Sequence, residues 1–154
     1  MRPRSANLPE VSLKDRALRL LSRREHSRAE LRRKLAPHAE DVEQLEALLD
    51  DLVQQGFLSD VRFAESYVHS RGGRLGSRRI ERELRDKGIP AEIAQQTLNA
   101  SAIDDLATAR VLRERKFGAL PVDEKEKARQ VRFLQGRGFS LTVALKVIKA
   151  PDGD

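Results

Sequence analysis

Apolar residues recur along this chain at helical spacing, in short stretches broken by Ser, Asp, Gly and Pro. Leu13, Ala17, Leu20 and Leu21 follow Ser12, with Asp15 placed for a first turn, and predict a helix from residue 13. Ser27-Arg28-Ala29-Glu30 has capping-box spacing: the serine accepts from the amide three residues on, and the glutamate reaches back to the serine amide. It opens a short helix through Leu31 and Leu35 that stops near Pro37. A third helix runs from about Asp41 to Gln55, with Val42, Leu45, Leu49 and Leu52 on one stripe and Gly56 as its left-handed stop.

A second set of three follows. Its helices run from Asp60 to about Ser70 with Phe63, Tyr67 and Val68, from Arg78 to Lys87 with Ile80 and Leu84, and from Pro90 through Ile93 and Leu98. The third set covers Asp104 to Lys116, Glu124 to Arg137 and Leu141 to Lys149, and Asp123 with Glu126 repeats the capping-box spacing.

The last two sets superimpose at an offset of 50. Leu84, Lys87, Gly88, Ile89, Ile93, Ala94 and Leu98 fall on Leu134, Arg137, Gly138, Phe139, Val143, Ala144 and Ile148, with chemical type preserved at each pair. The first set aligns only through its second helix, at an offset of 49, which puts Leu31 and Leu35 on Ile80 and Leu84. The pattern predicts an all-α chain of three tandem three-helix repeats forming an elongated, curved helical array, each repeat burying its apolar face against its neighbours. The expected boundaries are a flexible arm over 1–11, repeats over 12–58, 59–101 and 102–150, and a tail over 151–154.

Composition agrees with helix and adds charge. The 154 residues are rich in Ala, Leu, Arg and Glu, and 30 Lys plus Arg stand against 24 Asp plus Glu, a net charge of +6 that favours an anionic partner. Cysteine is absent, which removes disulfides and thiolate metal sites. No stretch of about 18 apolar residues occurs, so a cytoplasmic protein without a membrane segment is expected.

Enzymatic chemistry finds little to work with. His26, His38 and His69 lie far apart without partners at metal-ligand spacing and read as surface or cap residues, and no serine sits in a nucleophile elbow. The stretch SRGGRLGSRR at 70–79 matches neither nucleotide-loop pattern and follows a helix where such loops need a strand. It reads as a turn in which Gly76 and Ser77 let the chain turn and cap the next helix. The chain is expected to be no enzyme and to need no cofactor or metal.

The basic residues are segregated. Residues 13–36 hold nine Lys or Arg against three acids and 69–88 hold seven against three, whereas 37–66 hold one against eight. The acidic cluster from Glu40 to Asp51 reads as the solvated face of the third helix. At about 100° per residue, Arg78, Arg82 and Arg85 fall in one arc opposite Ile80 and Leu84, and Lys125, Arg129 and Arg132 group opposite Leu134. One position is common to all three sets: Arg33, Arg82 and Arg132 each precede the equivalent leucine by two residues. Ordinary i, i+4 pairing, Glu81 with Arg85 and Arg82 with Asp86, is the simpler account of single arginines.

The stretches SRAELRRKL (27–35), GFLSDVRFAESYVHSR (56–71), GSRRIERELRDKGI (76–89), RERKFG (113–118) and RFLQGRGFS (132–140) together resemble the RecX family of bacterial regulators, in the expected order over most of 13–149. The resemblance implies three three-helix repeats and a monomeric regulator that binds the RecA recombinase. It implies lodging in the RecA filament on single-stranded DNA, blocking its extension or promoting its disassembly, with weak direct binding of nucleic acid. Two departures stand out. Ser59 replaces a commonly acidic residue, leaving Asp60 as the expected cap, and Gln130 replaces an apolar residue, suggesting a looser third repeat.

Together these readings nominate contact residues for RecA or DNA. The first repeat supplies Arg28, Arg32 and Arg33; the second Arg71, Arg74, Arg78, Arg79, Arg82, Arg85 and Lys87; the third Lys125, Arg129, Arg132 and Arg137. The rival function is direct DNA binding by basic helix pairs against phosphates.

Overall fold

A computed structural model describes residues 11–149. The expected arm over 1–11 and tail over 151–154 lie outside the described residues, apart from Val11. Among the described residues the structure is all-helical: α1 (Leu13–Arg23), α2 (Arg28–Leu35), α3 (Val42–Gln54), α4 (Asp60–Arg71), α5 (Ser77–Asp86), α6 (Ala91–Ala100), α7 (Asp105–Phe117), α8 (Glu124–Gly136) and α9 (Leu141–Val147). A short 3-10 turn over Ala36–His38, with Pro37 inside it, ends α2.

The caps are largely those the sequence spells out. Ser12 accepts from the Asp15 amide, Asp41 from that of Gln44, and both halves of the Ser27–Glu30 capping box form. Asp123 accepts from Glu126 N–H, but Glu126 uses its own carboxylate on Gln130 and Arg129 rather than reaching back. Two caps differ from expectation. Ser59, not Asp60, caps α4 by accepting from the Arg62 amide. Ser77 is the first helical residue of α5, and its amide and hydroxyl donate to the Asp105 carboxylate at 3.1 and 2.6 Å.

The described chain forms two compact units, one running through Phe63 and including Lys87–Ile89, the other made of 64–86 and the residues from Pro90 onward. In the first unit Ala17, Leu31, Leu35, Leu45, Leu49, Leu52 and Leu58 build one core. Val42, expected on that stripe, is 69% exposed because it opens α3, one turn before the helix meets its neighbours. In the second unit Ala109, Leu134, Phe139, Ala144, Val147 and Ile148 form a core. Ile80, Leu84 and Ala94, the counterparts of Gln130, Leu134 and Ala144, are also fully buried. Each such leucine contributes about 1.5–3 kcal/mol by leaving water.

Each unit contains the same kind of joint. In the first, Ser27 Oγ donates to the Lys87 carbonyl at 2.6 Å, Arg28 N–H donates to Asp60 Oδ1 at 2.8 Å, and Gly88 lies so close to Ala29 that a Cβ would overlap it. In the second, Gly76 N–H donates to the Arg137 carbonyl at 2.8 Å, Ser77 binds Asp105, and Gly138 presses on Arg79 in the same way. Gly88 and Gly138 both hold left-handed φ, +84° and +98°. The 50-residue repeat therefore extends from core positions to the joints.

Candidate basic interaction surface

Which arginines are available depends on where the acids lie. On α2, Arg28 Nη2 donates to Asp50 at 2.6 Å and Glu46 at 3.3 Å, and Arg32 grips Glu46 through Nε and Nη2 at 2.7 and 2.9 Å. These contacts hold the Glu46 carboxyl at about 2, with the Arg32 hydrogen bonds as the largest cause. The acidic face of α3 is thus not merely solvated; it fastens α2 to α3 and occupies two nominated contact residues. Arg33, one position further on, is exposed and has no side-chain partner among the described residues.

On α5 the expected pairs Glu81–Arg85 and Arg82–Asp86 do not form. Arg79 pairs with Glu83 instead, at 3.0 Å, and donates to the Gly136 carbonyl at 3.2 Å. Glu83 also accepts from the Tyr67 hydroxyl at 2.5 Å, and Arg71 lies over the Tyr67 ring at 4.6 Å and 3.8 Å from Glu83. That cluster depresses the Glu83 carboxyl, through the Tyr67 hydrogen bond above all, while burial raises the Tyr67 hydroxyl. Arg78, Arg82 and Arg85 are left exposed, without an ion-pair partner among the described residues, around one open depression shared with Glu81 and Asp86. Arg74 is exposed on the preceding turn.

In α8 the sorting repeats. Arg129 reaches Glu126 at 3.5 Å and stacks on Phe117 at 5.3 Å, and just beyond the helix Arg137 lies over Phe133 at 5.1 Å. Lys125 and Arg132 are exposed and have no ion-pair partner among the described residues. Lys87 is half-buried at the joint, its carbonyl engaged by Ser27. At the shared position Arg33, Arg82 and Arg132 are exposed and have no side-chain partner among the described residues, as do Arg78, Arg85 and Lys125, while Arg32, Arg79 and Arg129 nearby are paired with acids.

Two polar sites differ from expectation. His26 is not a surface residue but only 2% exposed, with Nδ1 3.1 Å from the Arg24 carbonyl and Nε2 3.1 Å from Lys34 Nζ. Lysine can only donate, so Nε2 accepts and the ring is neutral; burial pushes its pKa down. His38 and His69 are exposed. Gln130 does not mark a gap: it is fully buried, and its amide and Arg113 Nη1 both donate to the Ala119 carbonyl, at 3.1 and 3.3 Å.

Among the described residues no group of His, Asp or Glu is arranged to hold a metal, and no helix is long and apolar enough to cross a membrane. The fold and the sorted arginines define a tandem helical-repeat protein with basic, unpaired positions at equivalent places in its repeats. Family models for the first, second and third three-helix domains of RecX match residues 14–52, 59–98 and 103–148. The chain belongs to the RecX family. It is 51% identical over 148 residues to a regulatory protein RecX of Leptothrix cholodnii, covering 96% of this chain and 94% of that one. It is 49% identical over 142 residues to the regulatory protein RecX of Ralstonia nicotianae, covering 92% and 89%. The crystal structure of RecX from Lactobacillus salivarius shares the fold, with a TM-score of 0.77 at 23% identity over 88% of this chain and 92% of that one.

Proposed function

We propose that this chain is a non-catalytic regulator of recombination and repair that binds RecA and RecA filaments on single-stranded DNA. It would act by stoichiometry, obstructing filament extension or promoting disassembly, and so inhibit recombinase and coprotease activity. The observation that carries this reading is that Arg33, Arg82 and Arg132, at one repeated position, are exposed and without an ion-pair partner among the described residues, beside arginines that internal acids neutralise. Surface pairing requires no such repetition; a partner presenting regularly spaced anionic groups does. The relatives' shared name, regulatory protein, supports the absence of catalysis.

The test replaces Arg33, Arg82 and Arg132 together by alanine and follows DNA-dependent ATP hydrolysis by RecA. Inhibition should weaken while the helical circular dichroism is kept; full inhibition by the folded variant would sink the assignment. Direct DNA binding is the second reading, favoured by the Arg78, Arg82 and Arg85 face, which lacks amide side chains for base edges and suits phosphates. A regulator of RecA binds the filament far more tightly than bare DNA, whereas a DNA binder shows a steep salt dependence on DNA alone.

A further inference from the structure

A cleft within the second unit has the opposite character to the basic faces. It holds about 660 Å³ between the ends of α4 and α6 and the start of α7, and its lining is mostly apolar, with Val68, Ala100, Ile103 and Ala107. No Lys or Arg lines it, although the chain carries 30 of them. Two carboxylates do. Glu65 is exposed and has no ion-pair partner among the described residues; Asp104 uses one carboxylate oxygen on the Ala107 amide, at 3.1 Å, and has no ion-pair partner either. The backbone adds to the same sign, because α4 and α6 both end at the cleft and helix C-termini carry partial negative charge. α7 begins there with the opposite sign, and the Asp104 carboxylate caps that end. The cleft therefore favours cations and disfavours phosphates, in a chain whose net charge is +6.

The arrangement also selects among cations. Glu65, His69 and Asp104 share the lining, yet they are not arranged to hold a metal ion. A point cation meets one carboxylate and leaves the apolar wall in water. An elongated cation uses both: ammonium groups at its two ends meet carboxylates that come from α4 and from the start of α7, and the methylenes between them cover Val68, Ile103 and the alanines. The volume lies within the range of small-molecule sites, about 300–1,000 Å³. A lysine side chain of a protein offers similar chemistry but a single charge, and leaves one carboxylate unmatched. We infer that this cleft binds a linear aliphatic polyamine. The site stands apart from the Arg33, Arg82 and Arg132 position and does not rest on the RecA reading.

The experiment titrates the full chain with spermidine by calorimetry at low ionic strength, where exposed charges are least screened. Binding should saturate at one spermidine per chain, and the thermal midpoint should rise with its concentration. Glu65→Gln with Asp104→Asn removes both charges, and asparagine still caps α7. Affinity should then fall at least about tenfold, the effect of one lost charge-assisted hydrogen bond. Glu92→Gln with Glu124→Gln removes equal charge from exposed positions elsewhere and should change little. Ala107→Leu narrows the cleft without altering its charge; it should weaken binding while the helical circular dichroism is kept, and it carries the test if the charge variant does not fold. Heats that do not saturate, equal losses in the two charge variants, or full affinity in Ala107→Leu overturns the inference. So does displacement of spermidine by magnesium chloride at matched ionic strength, which would mark a general attraction for cations. Tighter binding of acetyl-lysine amide than of spermidine overturns it too, since the cleft would then be a seat for a protein side chain.

Discussion

Gly76 donates its amide to the Arg137 carbonyl at 2.8 Å, and a Cβ on Gly76 would overlap the Gly138 carbonyl next to it. Two backbones meet there with no room for a side chain. Gly76→Ala should therefore force the joint apart and cost about 1–3 kcal/mol as an overpacked contact, with loss of the hydrogen bond added to it. Gly136 is the matched comparison: it is helical and a Cβ there meets nothing within 4 Å. Gly136→Ala should gain up to about 0.5–1 kcal/mol. Urea midpoints of the two variants should move in opposite directions; parallel shifts would mean the joint tolerates a methyl group.

The Glu46 clamp predicts an acid-sensitive first unit. Its carboxyl is held at about 2, below the ordinary 4.5. A depressed folded-state value means the contribution is present above pH 4.5 and is lost as pH falls from there through about 2. Glu46→Gln should lower the thermal midpoint near neutral pH and converge with the parent as the solution approaches pH 2. High salt should shrink the difference, because Glu46 and Arg32 are both partly exposed. A gap that persists undiminished in strong acid would show that Glu46 acts through packing instead.

The sequence announced helices better than it announced pairings. The caps at Ser12 and Ser27 and the stop at Gly56 are local events, written in residues a few positions apart. The 50-residue offset carried further still, because Leu84 with Leu134 and Ala94 with Ala144 are equally buried. What escaped notice was long-range. Asp60 looked like the cap of its own helix, yet it accepts from Arg28, 32 residues earlier. The choice between free and captured arginines is of this kind too, since Glu46 takes Arg32 across 14 positions and no spacing rule connects them. His26 was expected at the surface and Gln130 to loosen its repeat, because the groups that satisfy them, the Arg24 carbonyl and Lys34 for the one and the Ala119 carbonyl for the other, come from positions that no local spacing links to them.

The Ala119 carbonyl receives two donors while two groups near it have none: Arg113 Nε and Gln130 Oε1 are buried and unpartnered. An orphaned buried polar atom costs about 1–3 kcal/mol. Gln130→Met removes one such atom at similar volume and leaves Arg113 to satisfy the carbonyl. It should change stability by less than about 1.5 kcal/mol. Arg113→Met takes away a donor, but the Gln130 oxygen stays orphaned, so the larger loss belongs to that variant. Guanidinium denaturation of both proteins would show the order, and a more damaging Gln130→Met would mean that its amide is the indispensable donor.

His26 should make stability pH-dependent in a window the carboxylates do not reach. Burial lowers its pKa beneath the ordinary 6.5, and Arg24 and Lys34 add repulsion toward the protonated ring, while the Arg24 carbonyl and Glu30 oppose the shift only in part. The unfolded chain then binds the proton more readily than the folded one. Stability is full above pH 6.5 and falls as pH drops below it, toward the depressed folded-state value. Protonation would also turn Nε2 from acceptor to donor and set it against the Lys34 ammonium 3.1 Å away. Thermal midpoints measured from about pH 7.5 to 5.5 should decline for the parent, and the decline should flatten in His26→Gln, whose side chain cannot titrate. The variant should start lower, since the amide fills the site less well. An equal decline in both proteins would place the proton on another group and remove His26 from the account.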